Sequence, residues 1–294
     1  MNAFWIILIG FFVAGSCSIL GCFLILRKMA LVGDAISHSV LPGIVLVFLF
    51  TGSRDSVWMM FGAAVFGLLC VYLIQKFQQG GVQTDAAIGV TFTALFSIGV
   101  LLISMFTRQV DLDLDCVLYG EIAFAPWDTW SAGGVNMGPM AVWVTGLAFL
   151  LNILIVTVFY KQFKICSFDP AMALALGIPV LFFHYLLMGL VSVTTIASFE
   201  SVGAILVVGM LIVPAATSYL LTDRMSMMIV ISVVSGGISS IGGYYMAMVL
   251  DASIAGCMIT AAGIQFLLVF FLSPTHGMLW KKYKHHKLRQ ASTS

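Results

Sequence analysis

The sequence predicts an all-α integral membrane protein, a polytopic bundle of about nine transmembrane helices. Of the 294 residues, 61% are hydrophobic and only 9% are charged, and the mean hydropathy is +1.11. A soluble domain carries about 25% charged residues, so this composition cannot provide a water-facing surface of ordinary polarity. Apolar stretches long enough to cross a bilayer also recur along the whole chain.

Nine apolar windows of about 20 residues mark the predicted spans. They run near residues 4–26, 31–50, 57–75, 86–106, 139–160, 179–198, 201–221, 226–250 and 252–272. Only "SFE" separates the sixth window from the seventh, so eight spans with one long broken helix is an alternative. Pro42 and Pro214 predict further breaks, which membranes tolerate where protein or water satisfies the freed backbone groups. The first window lacks a basic leader and a cleavage site, which predicts a retained span.

The positions of Lys and Arg predict the orientation, because cationic segments stay in the cytoplasm. The tail 281–294 carries five cations and is predicted to be cytoplasmic, whereas the loop 107–138 carries only Arg108 among acidic residues and is predicted to be external. The N-terminus then lies outside. No stretch resembles a soluble domain or a linker, so we expect one transmembrane domain over residues 1–294.

Several functional classes are excluded by missing motifs. No P-loop occurs, so the chain is not predicted to bind ATP itself, and neither a zinc-protease nor a serine-hydrolase motif is present. The stretch "DLDLDC" (111–116) fails as a calcium loop, because Cys116 and Ile122 occupy the positions that need Gly and Glu. The six cysteines show no metal-binding spacing. Nothing predicts a nucleic-acid partner or a permanently bound cofactor.

The stretch "SFDPAMALALGIPV" (167–180) predicts a short helix outside the bilayer. Asp169 suits the N-cap, Pro170 suits the first helical position, and Gly177 suits the C′ position. Leu174 and Leu176 give this helix an apolar surface. Such a stiff, apolar helix favours docking into a partner over an ordinary connector.

The stretch "LVGDAISHSVLPG" (31–43) places two ionisable residues inside a predicted span. Asp34 and His38 share one helix face, because four residues separate them. They could form a structural hydrogen bond, or bind Mn²⁺, Fe²⁺ or Zn²⁺, which accept carboxylate and imidazole ligands. Glu200 is a further candidate, since an intramembrane carboxylate is a functional hypothesis by default. His184, alone among aromatic residues, is predicted to be a packing residue.

Four stretches, in this order, resemble the manganese/zinc/iron-type ABC transporter permeases (ABC-3 type). They are "LRKMALVGDAISHSVLPGIVLVFL" (26–49), "TDAAIGVTFTALFSIGVLL" (84–102), "SFDPAMALALGIPV" (167–180) and "SFESVGAILVVGMLIVPAATSYLLTDR" (198–224). The resemblance implies a type II importer fold in the bacterial cell (inner) membrane. It also implies a second permease subunit, in a homodimer or a heterodimer, together with separate ABC ATPase subunits and an extracytoplasmic metal-binding protein.

The resemblance assigns roles to the candidate residues. Asp34 and His38 match the proposed pore ligands for the metal, with Glu200 shared only by one branch, close to the manganese and iron systems. Segment 167–177 matches the helix that couples the permease to its ATPase, and loop 107–138 would face the binding protein. The alternative is a proton-coupled secondary metal transporter that uses Asp34, His38 and Glu200 as a relay.

Overall fold

The computed structural model describes residues 2–51, 56–106, 122–132 and 135–273. In chain order, its elements are α1 (Asn2–Leu26), α2 (Val32–Ser39), α3 (Leu41–Thr51), α4 (Ser56–Gln79), α5 (Thr84–Phe106), β1 (Thr129–Ala132), β2 (Val135–Pro139), α6 (Met140–Val158), α7 (Tyr160–Phe168), α8 (Pro170–Ala175), α9 (Val180–Val202), α10 (Ala204–Leu221), α11 (Met225–Leu250) and α12 (Ile254–Leu272).

Within these ranges, nine helical stretches are long and apolar enough to cross a membrane, which confirms the predicted polytopic bundle. This count favours nine spans over the eight-span alternative, and the predicted boundary at "SFE" falls a few residues early. Residues 198–200 continue α9, and the break falls at Gly203, where φ is +81°. A glycine in this backbone region ends one helix and begins the next within a single residue.

The helix α1 lies at the centre of the bundle. It packs against α6, α9, α10 and α11, and its span is the most buried of the nine that the described residues contain. The Ser232 hydroxyl of α11 donates to the Ser18 carbonyl oxygen of α1 over 3.4 Å, which marks the close approach of these two helices. The helices α2 and α3 pack against α4 and α5. The candidate site therefore lies on helices away from the α11–α12 edge.

A break separates α2 from α3 at Val40, two residues before Pro42. Proline lacks an N–H group, but the first turn of a helix leaves its N–H groups without intrahelical partners, so Pro42 fits the start of α3. The Ile44 amide still donates to the Val40 carbonyl oxygen over 3.1 Å. The second span, Val32–Thr51, is thus two short helices, and the candidate metal residues lie on the first.

A short antiparallel hairpin, β1–β2, lies within the predicted external loop and was not expected from the sequence. The Met140 amide donates to the Asp128 carbonyl oxygen over 2.9 Å, and the Trp143 indole donates to the Met137 carbonyl oxygen over 3.1 Å. These bonds tie the hairpin to the start of α6. Residues 107–121 of that loop and the basic tail 281–294 lie outside the described residues.

Candidate functional site

The turn between α1 and α2 fixes where the candidate metal residues begin. The Met29 amide donates to the Leu24 carbonyl oxygen over 2.9 Å, and the Lys28 amide donates to the Ile25 carbonyl oxygen over 3.0 Å. Lys28 has φ of +57°. This is the Schellman pattern that ends a helix, with lysine at the position where glycine is commonest. The helix α2 begins directly after this turn, so Asp34 lies in the first turn of α2.

Asp34 and His38 are the accessible residues of α2, because its other six residues are all buried. The His38 side chain is 33% exposed and the Asp34 side chain is 40% exposed. The neighbouring hydroxyls are already satisfied within the helix, Ser37 on the Gly33 carbonyl oxygen and Ser39 on the Ala35 carbonyl oxygen. The accessible side chains of this helix, which lies inside a predicted span, are therefore a carboxylate and an imidazole.

The distance from His38 Nε2 to Asp34 Oδ1 is 3.5 Å. This is longer than the 2.7–3.2 Å of a good N–H···O hydrogen bond. The two side chains are close enough to bind the same ion, and they do not form a short hydrogen bond with each other. The geometry therefore favours a pair that is open to a third group over a pair whose only role is to brace the helix.

Two aromatic rings of α5 hold the imidazole in place. The His38 ring centroid lies 5.5 Å from that of Phe96 in an edge-on arrangement and 5.9 Å from that of Phe92. The Nδ1 atom of His38 is buried and has no hydrogen-bond partner among the described residues. These two rings were not predicted as part of the site, although their spacing of four residues, within the stretch 84–102, places them on one helix face.

The pair supplies only part of a metal-binding shell. Within the described residues, no group of three or more His, Cys, Asp or Glu side chains could hold a metal ion. Zn²⁺ usually takes four ligands and Mn²⁺ takes more. Asp34 and His38 can therefore bind a transition-metal ion firmly only if further ligands complete the shell.

The remaining ionisable candidates, Glu200 and His184, both belong to α9. The backbone of Glu200 belongs to α9, three residues before the Gly203 break, and its side chain lies outside the described part of the structure. His184 is half-buried in the first turns of α9, where its ring packs edge-on against Tyr185 at 5.8 Å. His184 also lines a pocket with Arg27, so the prediction of a lone packing residue is incomplete.

The predicted capped helix is present as α8. The Asp169 carboxylate accepts a hydrogen bond from the Met172 amide over 2.9 Å, and Pro170 occupies the first turn. At the other end, the Ile178 amide donates to the Ala173 carbonyl oxygen over 3.0 Å, and Gly177 has φ of +74°. Both predicted caps are therefore confirmed, although the helix covers six residues and 167–168 belong to α7.

The apolar surface of α8 has no cover within the described chain. Leu174 is 64% exposed and Leu176 is 59% exposed. The segment is anchored from behind, because Arg27 Nε donates to the Ser167 hydroxyl over 3.0 Å and Ala173 is fully buried. Arg27 lies in the stretch 26–49 that resembles the permease family, but no local sequence pattern predicts its contact with Ser167. A rigidly held, uncovered apolar helix is suited to docking.

The cap gives a first prediction. Replacing Asp169 with Ala should destabilise α8 by about 1 kcal/mol, because the Met172 amide loses its partner. Asp169→Asn is the matched control, since asparagine caps helices as well as aspartate does. Hydrogen exchange at the Met172 amide should rise in the alanine variant and stay unchanged in the asparagine variant. Equal exchange in all three proteins would show that the cap does not stabilise α8.

Comparisons with known proteins agree with these features. The sequence model of the family described as "ABC 3 transport family" matches residues 2–273 of this chain. Over 280 residues, the chain is 52% identical to the manganese transport system membrane protein MntD of Bacillus subtilis, with 95% of each chain covered. It is 40% identical to the zinc transport system membrane protein TroD of Treponema pallidum, over 93% of this chain and 75% of the relative. The solved structure of PsaBC from Streptococcus pneumoniae in complex with Fab superposes with a TM-score of 0.77, at 33% identity, over 95% of this chain and 94% of that chain.

Proposed function

This chain belongs to the ABC 3 transport family, and from that premise we propose that it is the membrane-spanning permease subunit of an ATP-driven importer of divalent transition-metal ions. The observation that carries the proposal is the accessible Asp34–His38 pair on a helix inside a span. Mn²⁺ is the favoured cargo, because the relative with 52% identity is named for manganese transport. Zn²⁺ and Fe²⁺ accept the same ligands.

A second permease subunit completes the metal shell in this proposal. Two such chains facing one another contribute two carboxylates and two imidazoles. The carboxylates neutralise the divalent charge, which is costly to hold in low dielectric, and the neutral imidazoles add affinity. The exposure of Asp34 and His38 supports this arrangement, because charged groups within a span face a bundle interior or a wet cavity. The site is a transient way-station that binds and then releases the ion.

Separate ATPase subunits supply the energy in this proposal. The uncovered apolar surface of α8 supports a docking role, with Leu174 and Leu176 as its centre. Ser167 lies two residues before the Asp169 cap, and its bond to Arg27 joins this segment to the end of α1. From Arg27, the tight turn between α1 and α2 leads to the first turn of α2, which contains Asp34. Movement of the docked helix therefore has a short, hydrogen-bonded route to the metal residues.

The experiment is radioactive manganese uptake in cells that lack only this chain. We expect uptake to be restored by the intact gene and to fail when ATP is depleted. Zinc and iron uptake, measured in the same cells, identify the cargo. Uptake that survives ATP depletion but stops with a protonophore would contradict the proposal and support the proton-coupled alternative.

The orientation is a second prediction, for a multi-pass protein of the bacterial cell membrane. We place the external loop 107–138 outside and the tail 281–294 inside, since cationic segments remain in the cytoplasm. Asp128 is exposed at the base of the hairpin, so Asp128→Cys in a cysteine-free chain should react with an impermeant thiol reagent in intact cells. Gln290→Cys should react only after the cells are opened. The reverse pattern would invert the topology.

A further inference from the structure

A pocket of about 490 Å³ lies where the end of α1, the start of α9 and the helix α8 meet. Its polar lining residues include Arg27, Lys28, Gln75, Ser167 and His184. It therefore carries two cations, and none of the described residues that line it is a carboxylate. The rest of the lining is apolar, with Leu26, Leu174 and Leu181 among its walls.

Two residues that line this pocket each have a buried polar atom without a partner in the described chain. The Nη2 atom of Arg27 and the Oε1 atom of Gln75 make no hydrogen bond within the described chain. The bond from Arg27 Nε to the Ser167 hydroxyl holds the guanidinium group in place. Burial lowers the pKa of Arg27 from its usual value, because the charged form has lost water. An anion beside the guanidinium group would balance its charge and offset the lost hydration.

The position of the pocket relative to the ends of the membrane spans indicates what kind of anion binds there. Arg27 directly follows the first span, Ala3–Leu26. Gln75 precedes the end of its span at Gln79 by four residues, and His184 follows the start of its span at Val180 by four. Four residues of helix correspond to about 6 Å. The pocket thus extends from the end of the spans to about one helical turn inside them, which is where lipid headgroups meet the acyl chains.

We propose that this pocket binds the phosphate headgroup of an anionic phospholipid through Arg27 and Lys28. Basic pockets between transmembrane helices recognise such headgroups by charge. Leu181 is 53% exposed and offers an apolar wall to the acyl chain. An acidic side chain of a soluble partner fits the charge as well, but it would have to enter the depth of the headgroups. The bound lipid would touch Arg27 and also Pro170 and Leu174 of α8, so it would brace the docking helix.

The test counts the lipids retained by the purified full-length chain. The chain, in a neutral detergent, is titrated with phosphatidylglycerol or with phosphatidylcholine of the same acyl chains, and bound lipid is read by native mass spectrometry. We expect a preference for phosphatidylglycerol. Lys28→Gln should weaken its retention about fivefold, as each basic group near an anionic surface contributes about that factor. Adding Arg27→Gln should remove the preference.

Lys76→Gln is the matched control. Lys76 lies in the last turn of α4 and is exposed, and it does not line the pocket. If Arg27→Gln fails to fold, Lys28→Gln still tests the proposal, because Lys28 is exposed and its replacement should not disturb the fold. Equal losses from Lys28→Gln and Lys76→Gln would mean surface attraction and overturn the proposal. Displacement of the lipid by inorganic phosphate would indicate a free-phosphate site. Unchanged lipid retention in Lys28→Gln with loss of a co-purifying ATPase would assign the pocket to a protein partner.

Discussion

Replacing Asp34 with Asn should lower metal uptake per assembled complex at least about tenfold, because loss of a direct metal ligand costs no less than loss of its supporting groups. Asparagine keeps the size of the side chain and removes its charge. A divalent ion in a low-dielectric pathway then loses all of the neutralising charge that the two carboxylates supply, if both subunits carry the change. Asp34 is 40% exposed, so the substitution should leave the fold intact.

The measurement is uptake of radioactive manganese in membranes, divided by the amount of assembled complex. His38→Ala should lower uptake less than Asp34→Asn, since water can replace one neutral ligand. Ser37→Ala is the matched control, because Ser37 lies on the same helix, is buried and donates its hydroxyl to the Gly33 carbonyl oxygen of that helix. If the pair merely braced α2, complex yield would fall and uptake per complex would not. Normal uptake per complex in Asp34→Asn would refute the metal site.

The sequence predicted those features that depend on local chemistry. Each of the nine spans follows from about 20 apolar residues in a row, and the structure places each within a few residues of its predicted bounds. The caps of α8 follow from Asp169, Pro170 and Gly177, whose roles depend on a few neighbouring backbone groups. The Asp34–His38 pair follows from helical spacing alone.

Features that depend on distant contacts were not predictable in this way. Arg27 and Ser167 are 140 residues apart, and no local pattern brings them together. The aromatic rings that flank His38 come from another helix. The break between the sixth and seventh spans was misplaced because "SFE" is the more polar stretch, whereas the backbone turns at Gly203. In a bilayer, such a break is set by which backbone groups find protein partners, and polarity alone does not decide it.

The second large effect concerns the docking helix. Leu174→Asp together with Leu176→Asp should separate the ATPase from the permease and abolish uptake. Both side chains are exposed in this chain, at 64% and 59%, so the charges should cost little while the chain is alone. At a tight contact, each unpaired charge would be buried at a cost of about 3–5 kcal/mol.

Leu174→Met together with Leu176→Met is the matched control, because it keeps an apolar surface of similar volume. We expect the methionine variant to retain the ATPase on purification and to transport metal. The aspartate variant should keep its melting temperature and lose both properties, since the change acts at the contact and leaves the bundle untouched. Co-purification and uptake that both survive the aspartate change would exclude α8 as the docking helix. Loss of uptake with the ATPase still bound would instead locate the effect after docking, in the route from Ser167 through Arg27 to the metal residues.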